Sequence, residues 1–175
     1  MELSGKRVAI FVDQIYQEME LWYPLYRLRE AGATVVVVGA TAGATYSSKL
    51  GYPCKADKSY DEVTASDFDG LIIPGGYAPD HMRRHAKALQ LVADMNKQNK
   101  LVAAICHAGW VMCSAHGMLR NRRVTSFFAI KDDMVNAGGI WEDAEVVVDG
   151  NLVTSRKPDD LPAFCRACID VLRKA

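Results

Sequence analysis

The sequence predicts an α/β sandwich, in which a mainly parallel sheet is covered by helices on both faces. Two observations predict this fold class. Short apolar runs recur along the chain, as expected of strands that are buried on both faces. Segments with helical periodicity separate most of these runs, as the crossover connections of a parallel sheet do. No linker or repeat interrupts the pattern, so residues 1–175 are predicted to form one domain.

The first half of the chain supplies two predicted strands, over residues 7–12 and 34–38. The helix between them is predicted over residues 18–31, because three leucines fall on one face and a glycine follows. Residues 40–64 are polar and glycine-rich. We expect them to form a surface excursion, with short extended pieces around residues 52–55.

The second half continues the same alternation. An aspartate–glycine pair at residues 149–150 suits the tight turn of a β-hairpin between residues 144–148 and 151–154. Further strands are predicted at residues 69–74, 101–105 and 124–126, and further helices at 87–98, 108–115, 130–136 and 159–174.

The composition excludes several classes of protein. Half of the 175 residues are hydrophobic, which excludes a disordered chain. Lys plus Arg and Asp plus Glu both number 21, so there is no basic excess to bind nucleic acid. No apolar run is long enough to span a membrane, and no signal-peptide pattern opens the chain. Five scattered cysteines, an odd number, favour reduced thiols and a cytoplasmic location.

Cys106 is the strongest candidate for a catalytic residue. It follows the predicted strand at residues 101–105 and precedes a short helix, with Ala108 and Gly109 allowing a tight turn. A cysteine on such an elbow is exposed at the carboxyl edge of the sheet. It also faces a helix N-terminus, which is expected to lower the pKa of the thiol. The alternative is a buried structural cysteine.

Two neighbouring features complete the predicted site. Gly75 and Gly76 end the strand at residues 69–74 and leave backbone N–H groups free to point into a site. With the N–H of His107 they form a candidate oxyanion hole. The side chain of His107 is either a catalytic base or a surface histidine.

The remaining histidines and cysteines favour structural roles. His81 and His85 have a spacing that can bind zinc, but no metal or other cofactor is predicted, because no Glu follows His81 as in a zinc-protease motif. Cys165 and Cys168 lie inside the closing helix among apolar residues, which favours core packing over a redox pair.

Taken together, the motifs resemble the PfpI/ThiJ family of intracellular cysteine-protease-like proteins. This is the branch of the class I glutamine-amidotransferase-like superfamily that includes the parkinsonism-associated deglycase. The resemblance runs from about residue 6 to residue 172. Its motifs are ELWYPLYRL at 20–28, DGLIIPGGYAP at 69–79, AICH at 104–107, IKDDMVNAG at 130–138, DAEVVVDG at 143–150 and TSRKPDDL at 154–161.

The resemblance implies a flavodoxin-like three-layer sandwich with Cys106 as nucleophile and His107 as its partner. Gly76 and His107 are implied to supply the oxyanion-hole amides. The acid that completes the triad is implied to be Asp80 of a neighbouring subunit. The resemblance therefore implies a homo-oligomer, a dimer or possibly a hexamer, with a peptide or small molecule as substrate.

Two pocket positions are expected to depart from the family pattern. Counting back from the ELWYP motif assigns Gln17 to the place where relatives carry a glutamate beside the cysteine. An amide cannot exchange a proton, so we expect little glyoxalase turnover. An alternative is that Gln17 caps the helix and Glu18 turns inward. Phe127 stands where relatives carry Tyr or Trp, which predicts a drier pocket.

Three functions compete. The first is a cysteine hydrolase, either a peptidase or a deglycase that acts on glyoxal adducts. The second is a glyoxalase-type lyase that converts methylglyoxal to lactate. The third is a stress-response redox sensor or chaperone, in which Cys106 is reversibly oxidised without turnover.

Overall fold

A computed structural model describes residues 1–174 of the chain. They form eleven strands and six α-helices. The helices are α1 (Glu18–Glu30), α2 (Ala78–Met82), α3 (Ala86–Lys97), α4 (Gly109–Ser114), α5 (Lys131–Asn136) and α6 (Leu161–Lys174). The strands are β1 (Arg7–Phe11), β2 (Thr34–Gly39), β3 (Thr45–Ser47), β4 (Pro53–Lys55), β5 (Lys58–Ser59), β6 (Gly70–Ile73), β7 (Leu101–Ile105), β8 (Arg123–Val124), β9 (Ile140–Trp141), β10 (Val146–Asp149) and β11 (Leu152–Ser155).

The central sheet has seven strands in the order β10-β11-β7-β6-β1-β2-β5. All neighbouring pairs are parallel except β10 and β11, which form an antiparallel hairpin. Strands β6 and β7 are buried along their whole length, as helices on both faces of the sheet require. The predicted α/β sandwich and the predicted hairpin are both confirmed, with Gly150 in the turn at φ +59°.

Three adjacent strands end at one edge of this sheet and position the site. Strands β1, β6 and β7 are neighbours, so their carboxyl ends lie side by side. The residues that follow β6 are Pro74, Gly75 and Gly76, and Cys106 follows β7 directly. Sites in parallel sheets form beyond such carboxyl ends, because the loops there converge.

Residues 40–64 contain the extended piece expected around residues 52–55, which is β4, but the segment is more ordered and more buried than a surface excursion. Strands β3 and β4 form a hairpin, and β5 adds an edge strand to the central sheet beside β2. The hairpin turns Tyr46 and Cys54 inward, and both side chains are buried. The apolar residues were too widely spaced to show a periodicity, although alternate positions of each short strand face the core.

The predicted strand at residues 124–126 is also placed differently. Strand β8 pairs with β9 in a separate two-stranded sheet. The place beside β7 belongs to β11, which is longer and wholly buried. Strand β11 buries all four of its residues at this position, whereas β8 has only one buried residue, so β11 removes more surface from water there.

The closing helix α6 confirms the structural role of the Cys-x-x-Cys pair. Cys165 and Cys168 are both buried on its inward face, together with Phe164, Ile169 and Leu172. All five cysteines are free. Among the described residues, no helix combines the length and the apolarity that crossing a membrane requires.

Candidate active site

Cys106 sits on a strained turn between β7 and α4. Its backbone φ is +63°, in the left-handed region that non-glycine residues rarely adopt. A short 3-10 turn, Cys106–Ala108, carries the chain into α4. Gly109 at the start of this helix lets α5 pack closely, since a Cβ there would lie 2.5 Å from the sulfur of Met134. The predicted elbow is confirmed, and strain of this kind persists where surrounding packing fixes it.

Two backbone amides converge on the Cys106 sulfur. The N–H groups of Gly76 and His107, one from each of two neighbouring strand ends, lie close enough to the sulfur to favour its thiolate form. The Nδ1 atom of His107 lies 3.2 Å from the same sulfur. The elbow therefore brings adjacent residues 106 and 107 together. An oxygen that develops negative charge beside the sulfur would meet both amides.

The glycines of the β6 turn make this approach possible. A Cβ on Gly75 would lie 2.6 Å from the Glu20 carboxylate and 2.8 Å from the Cβ of Cys106. Gly76 has φ +77°, and a Cβ there would lie 2.5 Å from the carbonyl oxygen of Ile15. Neither position has room for a side chain, so the backbone of the turn lies against the cysteine.

The carboxyl group beside the sulfur belongs to Glu20, and the assignment of Gln17 to that place is wrong. Glu20 is fully buried in the first turn of α1. Its Oε2 accepts a hydrogen bond from the N–H of Gly75 at 2.8 Å. Because a Cβ on Gly75 would approach both this oxygen and the Cβ of Cys106, the carboxyl lies beside the cysteine. Gln17 caps α1 instead, because its Oε1 accepts from the N–H of Glu20 at 2.9 Å.

Glu18 does not take that place either. Its carboxylate accepts hydrogen bonds from the hydroxyl of Ser48 and the N–H of Leu50. A signal for Glu20 existed in the sequence: the buried positions of α1 are 20, 21, 24, 25 and 28, so Glu20 continues the apolar stripe. Counting back from the ELWYP motif led to Gln17 instead of Glu20. Side chains on a helix point toward its N-terminus, and in α1 this direction brings Glu20 to the sheet edge.

Burial dominates the protonation of the site. It raises the pKa of Glu20 to about 7. Burial, reinforced by the nearby Glu20 carboxylate, also raises the pKa of the Cys106 thiol. The expected lowering by the helix N-terminus is therefore wrong, because the hydrogen bonds from the two amides do not outweigh desolvation. A thiolate forms here most readily when the proton resides on Glu20.

Burial acts on His107 in the opposite direction, because its charged form is the protonated one. Desolvation, with a contribution from Lys49, lowers the pKa of His107. The imidazole is therefore neutral at physiological pH and can accept the thiol proton. Asp80, on α2, is paired with Arg84 and forms no described hydrogen bond to His107 within the chain. Its role as the acid of a partner subunit stays a prediction.

The site opens into a cavity of about 370 Å³. The Phe127 ring stacks on the imidazole of His107 at 4.9 Å between centroids, and Trp110 meets it edge-on at 5.1 Å. The rings of Phe127 and Trp110 form an apolar wall on one side of the cavity. The lining residues are Gln17, Glu20, Lys49, Gly76, Tyr77, Cys106, His107, Trp110, Phe127, Lys157 and Pro158.

His81 and His85 lie outside this cavity. His81 belongs to α2 and His85 precedes α3, so they do not share a helix. Both face the buried carboxylate of Asp13, at 3.9 and 3.8 Å. Among the described residues, no three His, Cys, Asp or Glu side chains are arranged to hold a metal ion.

The fold and the site together define an α/β sandwich with a cysteine nucleophile on a strand-to-helix elbow. The chain belongs to the DJ-1/PfpI family, whose model matches residues 6–171. It is 43% identical to Deglycase PfpI of Pyrococcus furiosus, over 90% of this chain and 94% of that protein. It is 38% identical to the putative cysteine protease YraA of Bacillus subtilis, over 97% of this chain and 99% of that protein.

Solved structures share the fold. The chain matches Drosophila melanogaster DJ-1beta with a TM-score of 0.89 and 30% identity, covering 97% of this chain and 91% of that one. It also matches a two-domain protein from Anabaena variabilis with a TM-score of 0.94 and 42% identity. That match covers 96% of this chain and 48% of the other, which contains DJ-1/ThiJ/PfpI-like and ferritin-like domains.

Proposed function

We propose that the protein is a cysteine-dependent hydrolase that removes glyoxal-type adducts from amines, with Cys106 as the nucleophile. One observation carries the proposal: the Cys106 sulfur meets two backbone N–H donors, the His107 imidazole and the Glu20 carboxyl at once. A nucleophile, an oxyanion hole and two proton carriers are what addition to a carbonyl requires. The P. furiosus relative named as a deglycase supports the same chemistry.

The first step forms a bond between sulfur and the aldehyde carbon of the adduct R–NH–CH(OH)–CHO. The thiol proton passes to the neutral His107. The former aldehyde oxygen becomes an oxyanion, which the N–H groups of Gly76 and His107 stabilise. It then takes the proton of the Glu20 carboxyl to give a thiohemiacetal, which leaves Glu20 as a carboxylate and the thiol proton on His107.

The second step releases the amine. The Glu20 carboxylate removes the hydrogen of the carbon bonded to sulfur, and the amine leaves the neighbouring carbon with the proton from His107. Glu20 returns its proton to the carbon that lost the amine, and the hydroxyl on the carbon bonded to sulfur gives its proton to His107, which leaves a hydroxyacyl thioester on Cys106. Water attacks the thioester, sulfur leaves with a proton relayed through His107, and the products are the free amine and a hydroxy acid.

Glu20 also supports a second candidate, the glyoxalase reaction. The expectation of little methylglyoxal turnover depended on an amide beside the sulfur, and the structure places a carboxyl there. The same transfer of a proton between adjacent carbons, with no amine to release, converts methylglyoxal to lactate. Peptidase activity, suggested by the name of the B. subtilis relative, would need only Cys106, His107 and the two amides.

The experiment compares wild type with Cys106→Ser, Glu20→Gln and Cys113→Ser. The probe is glyoxal-treated N-acetyl-lysine, and the readouts are release of unmodified N-acetyl-lysine and formation of glycolate. We expect Cys106→Ser and Glu20→Gln to lower turnover by about 10²-fold or more, as loss of a positioned nucleophile or proton carrier does. Cys113→Ser should retain wild-type rates. Amine release by the wild type at the rate of Cys106→Ser contradicts the proposal.

We also propose that the protein works as a homo-oligomer in the cytoplasm. Helix α1 and the β3–β4 hairpin expose a contiguous apolar patch, formed by Met19, Trp22, Tyr23, Tyr26, Leu50 and Tyr52. Patches of this kind mark interaction surfaces. A twofold dimer would bury this patch against the same patch of a second copy. The free thiols favour a reducing compartment.

A further inference from the structure

The cavity at Cys106 is bordered by two lysines that the chemistry above does not use. Lys49 comes from the loop after β3, and Lys157 follows β11. Both are exposed at the mouth of the cavity, whereas the only acidic side chain in its lining is the buried Glu20. Two cations and two backbone N–H donors therefore face the same space.

Hydrogen bonds hold the backbone at Lys49 and at the residues before and after it. The Glu18 carboxylate accepts a hydrogen bond from Ser48 Oγ at 2.5 Å and another from the N–H of Leu50 at 2.6 Å. The N–H of Lys49 itself donates to the carbonyl oxygen of Tyr16 at 2.9 Å. Glu18 thus holds the residues before and after Lys49, and the loop cannot swing away from the cavity without breaking these bonds.

The backbone around Lys157 is held in a similar way. The neighbouring Arg156 guanidinium binds Asp160 through two nitrogens, at 2.9 and 3.1 Å, and Asp143 through a third contact at 2.8 Å. Lys157 caps the short turn that contains Asp160. Its ammonium lies 3.5 Å from the exposed carboxylate of Asp159, a contact that solvent screens strongly.

The positive charge acts on the site itself. Lys49 is a source of positive potential at both Glu20 and His107. In a concave site, such potential raises the local concentration of anions and orients them.

We propose that Lys49 and Lys157 make the site selective for adducts that carry an anionic group, a carboxylate or a phosphate, next to the reacting carbonyl. The anion would lie at the mouth between the two ammonium groups, with the carbonyl directed toward Cys106. Lys49 and Lys157 are specificity-determining residues. The proposal rests on the proposed function for its substrates, although not for its binding test.

The binding test uses two alkylating reagents of similar size, anionic iodoacetate and neutral iodoacetamide, with the modification of Cys106 followed by peptide mass mapping. We expect Lys49→Met and Lys157→Met each to lower the ratio of the iodoacetate rate to the iodoacetamide rate by about three- to tenfold. Lys49→Arg should restore the ratio. Raising the salt concentration should lower it in the wild type.

Lys97→Met is the matched control. It removes one positive charge near the end of α3, before the start of β7, at the sheet edge opposite Cys106. It should leave the rate ratio unchanged. The proposal is overturned if Lys49→Met and Lys157→Met leave the ratio of the iodoacetate rate to the iodoacetamide rate at the wild-type value. The comparison holds for variants whose thermal melt is unchanged. An equal fall in Lys97→Met also overturns the proposal, because the effect would then reflect net charge alone.

The substrate test separates carboxylate from phosphate. One pair is glyoxal-treated glycine and glycinamide, and the other is glyoxal-treated guanosine 5′-monophosphate and guanosine. We expect kcat/KM to favour the anionic member of at least one pair, and the lysine variants to abolish that preference through KM. Equal turnover within both pairs overturns the selectivity while leaving the proposed function intact. Absence of all turnover contradicts the proposed function, and the alkylation ratio then still decides the role of the lysines.

Discussion

Glu20 links the chemistry of the site to the stability of the fold. Its pKa rises to about 7 in the folded protein from an ordinary value of 4.5. The folded state therefore binds more protons than the unfolded state between these values. Stability falls as the pH rises through this range, because ionising the buried carboxyl opposes folding.

The residue-scale prediction concerns Glu20→Gln. The substitution removes the ionisation, so the free energy of unfolding of the variant should improve relative to wild type by about 3 kcal/mol between pH 4.5 and pH 7.5. Urea unfolding at several pH values measures the difference. Glu30→Gln, an exposed change in the same helix, should follow the wild-type pH profile. Parallel profiles for wild type and Glu20→Gln would show that the carboxyl titrates normally.

The turn after β6 is the element on which the site depends most. A Cβ on Gly76 would meet backbone atoms of Ile15, Tyr16 and Gln17, so the turn cannot yield without moving the start of α1. Because the N–H of Gly76 points at the Cys106 sulfur, a small displacement would remove one oxyanion donor.

The element-scale prediction is that Gly76→Ala lowers kcat by about 10²-fold, the usual effect of losing one such donor. It should also destabilise the protein, because its φ of +77° disfavours a side chain. Turnover of glyoxal-treated N-acetyl-lysine and thermal melts measure the two effects. Gly51→Ala is the control, since Gly51 has φ +86° with open space around a Cβ. It should lose stability without losing kcat, and an equal loss of kcat would refute the specific role of Gly76.

The sequence predicts an element well when neighbouring residues determine it, and poorly when packing between distant segments determines it. Buried strands such as β7, the elbow at Cys106 and the glycine turn follow from short patterns of residues. The β3–β4 hairpin does not, because its inward side chains, Tyr46 and Cys54, alternate over only three residues. The sequence also did not identify Glu20 as the carboxyl beside the Cys106 sulfur, because the packing of α1 against the sheet edge brings the two residues together.

At the scale of the whole molecule, the apolar patch on α1 and the β3–β4 hairpin carries the last prediction. Tyr26 is 60% exposed at the centre of that surface. If a second copy covers it, Tyr26→Asp should bury a charge against apolar side chains and shift the protein toward monomer at micromolar concentration. Light scattering after gel filtration measures the mass.

Val135→Asp provides the comparison for that measurement. Val135 is 47% exposed on α5, outside the patch, so its substitution should leave the oligomer intact. A wild-type protein that is monomeric at micromolar concentration would rule out the α1 interface. It would also remove Asp80 of a partner subunit from the site.

The left-handed backbone of Cys106 has a consequence for how such a chain changes over generations. Glycine or asparagine would occupy φ +63° with less strain, so selection for stability alone opposes cysteine at this position. Selection for the reaction must act continuously to retain it. A descendant released from that selection would be expected to lose Cys106 early, and to keep Gly76 because a Cβ there would meet backbone atoms of Ile15, Tyr16 and Gln17.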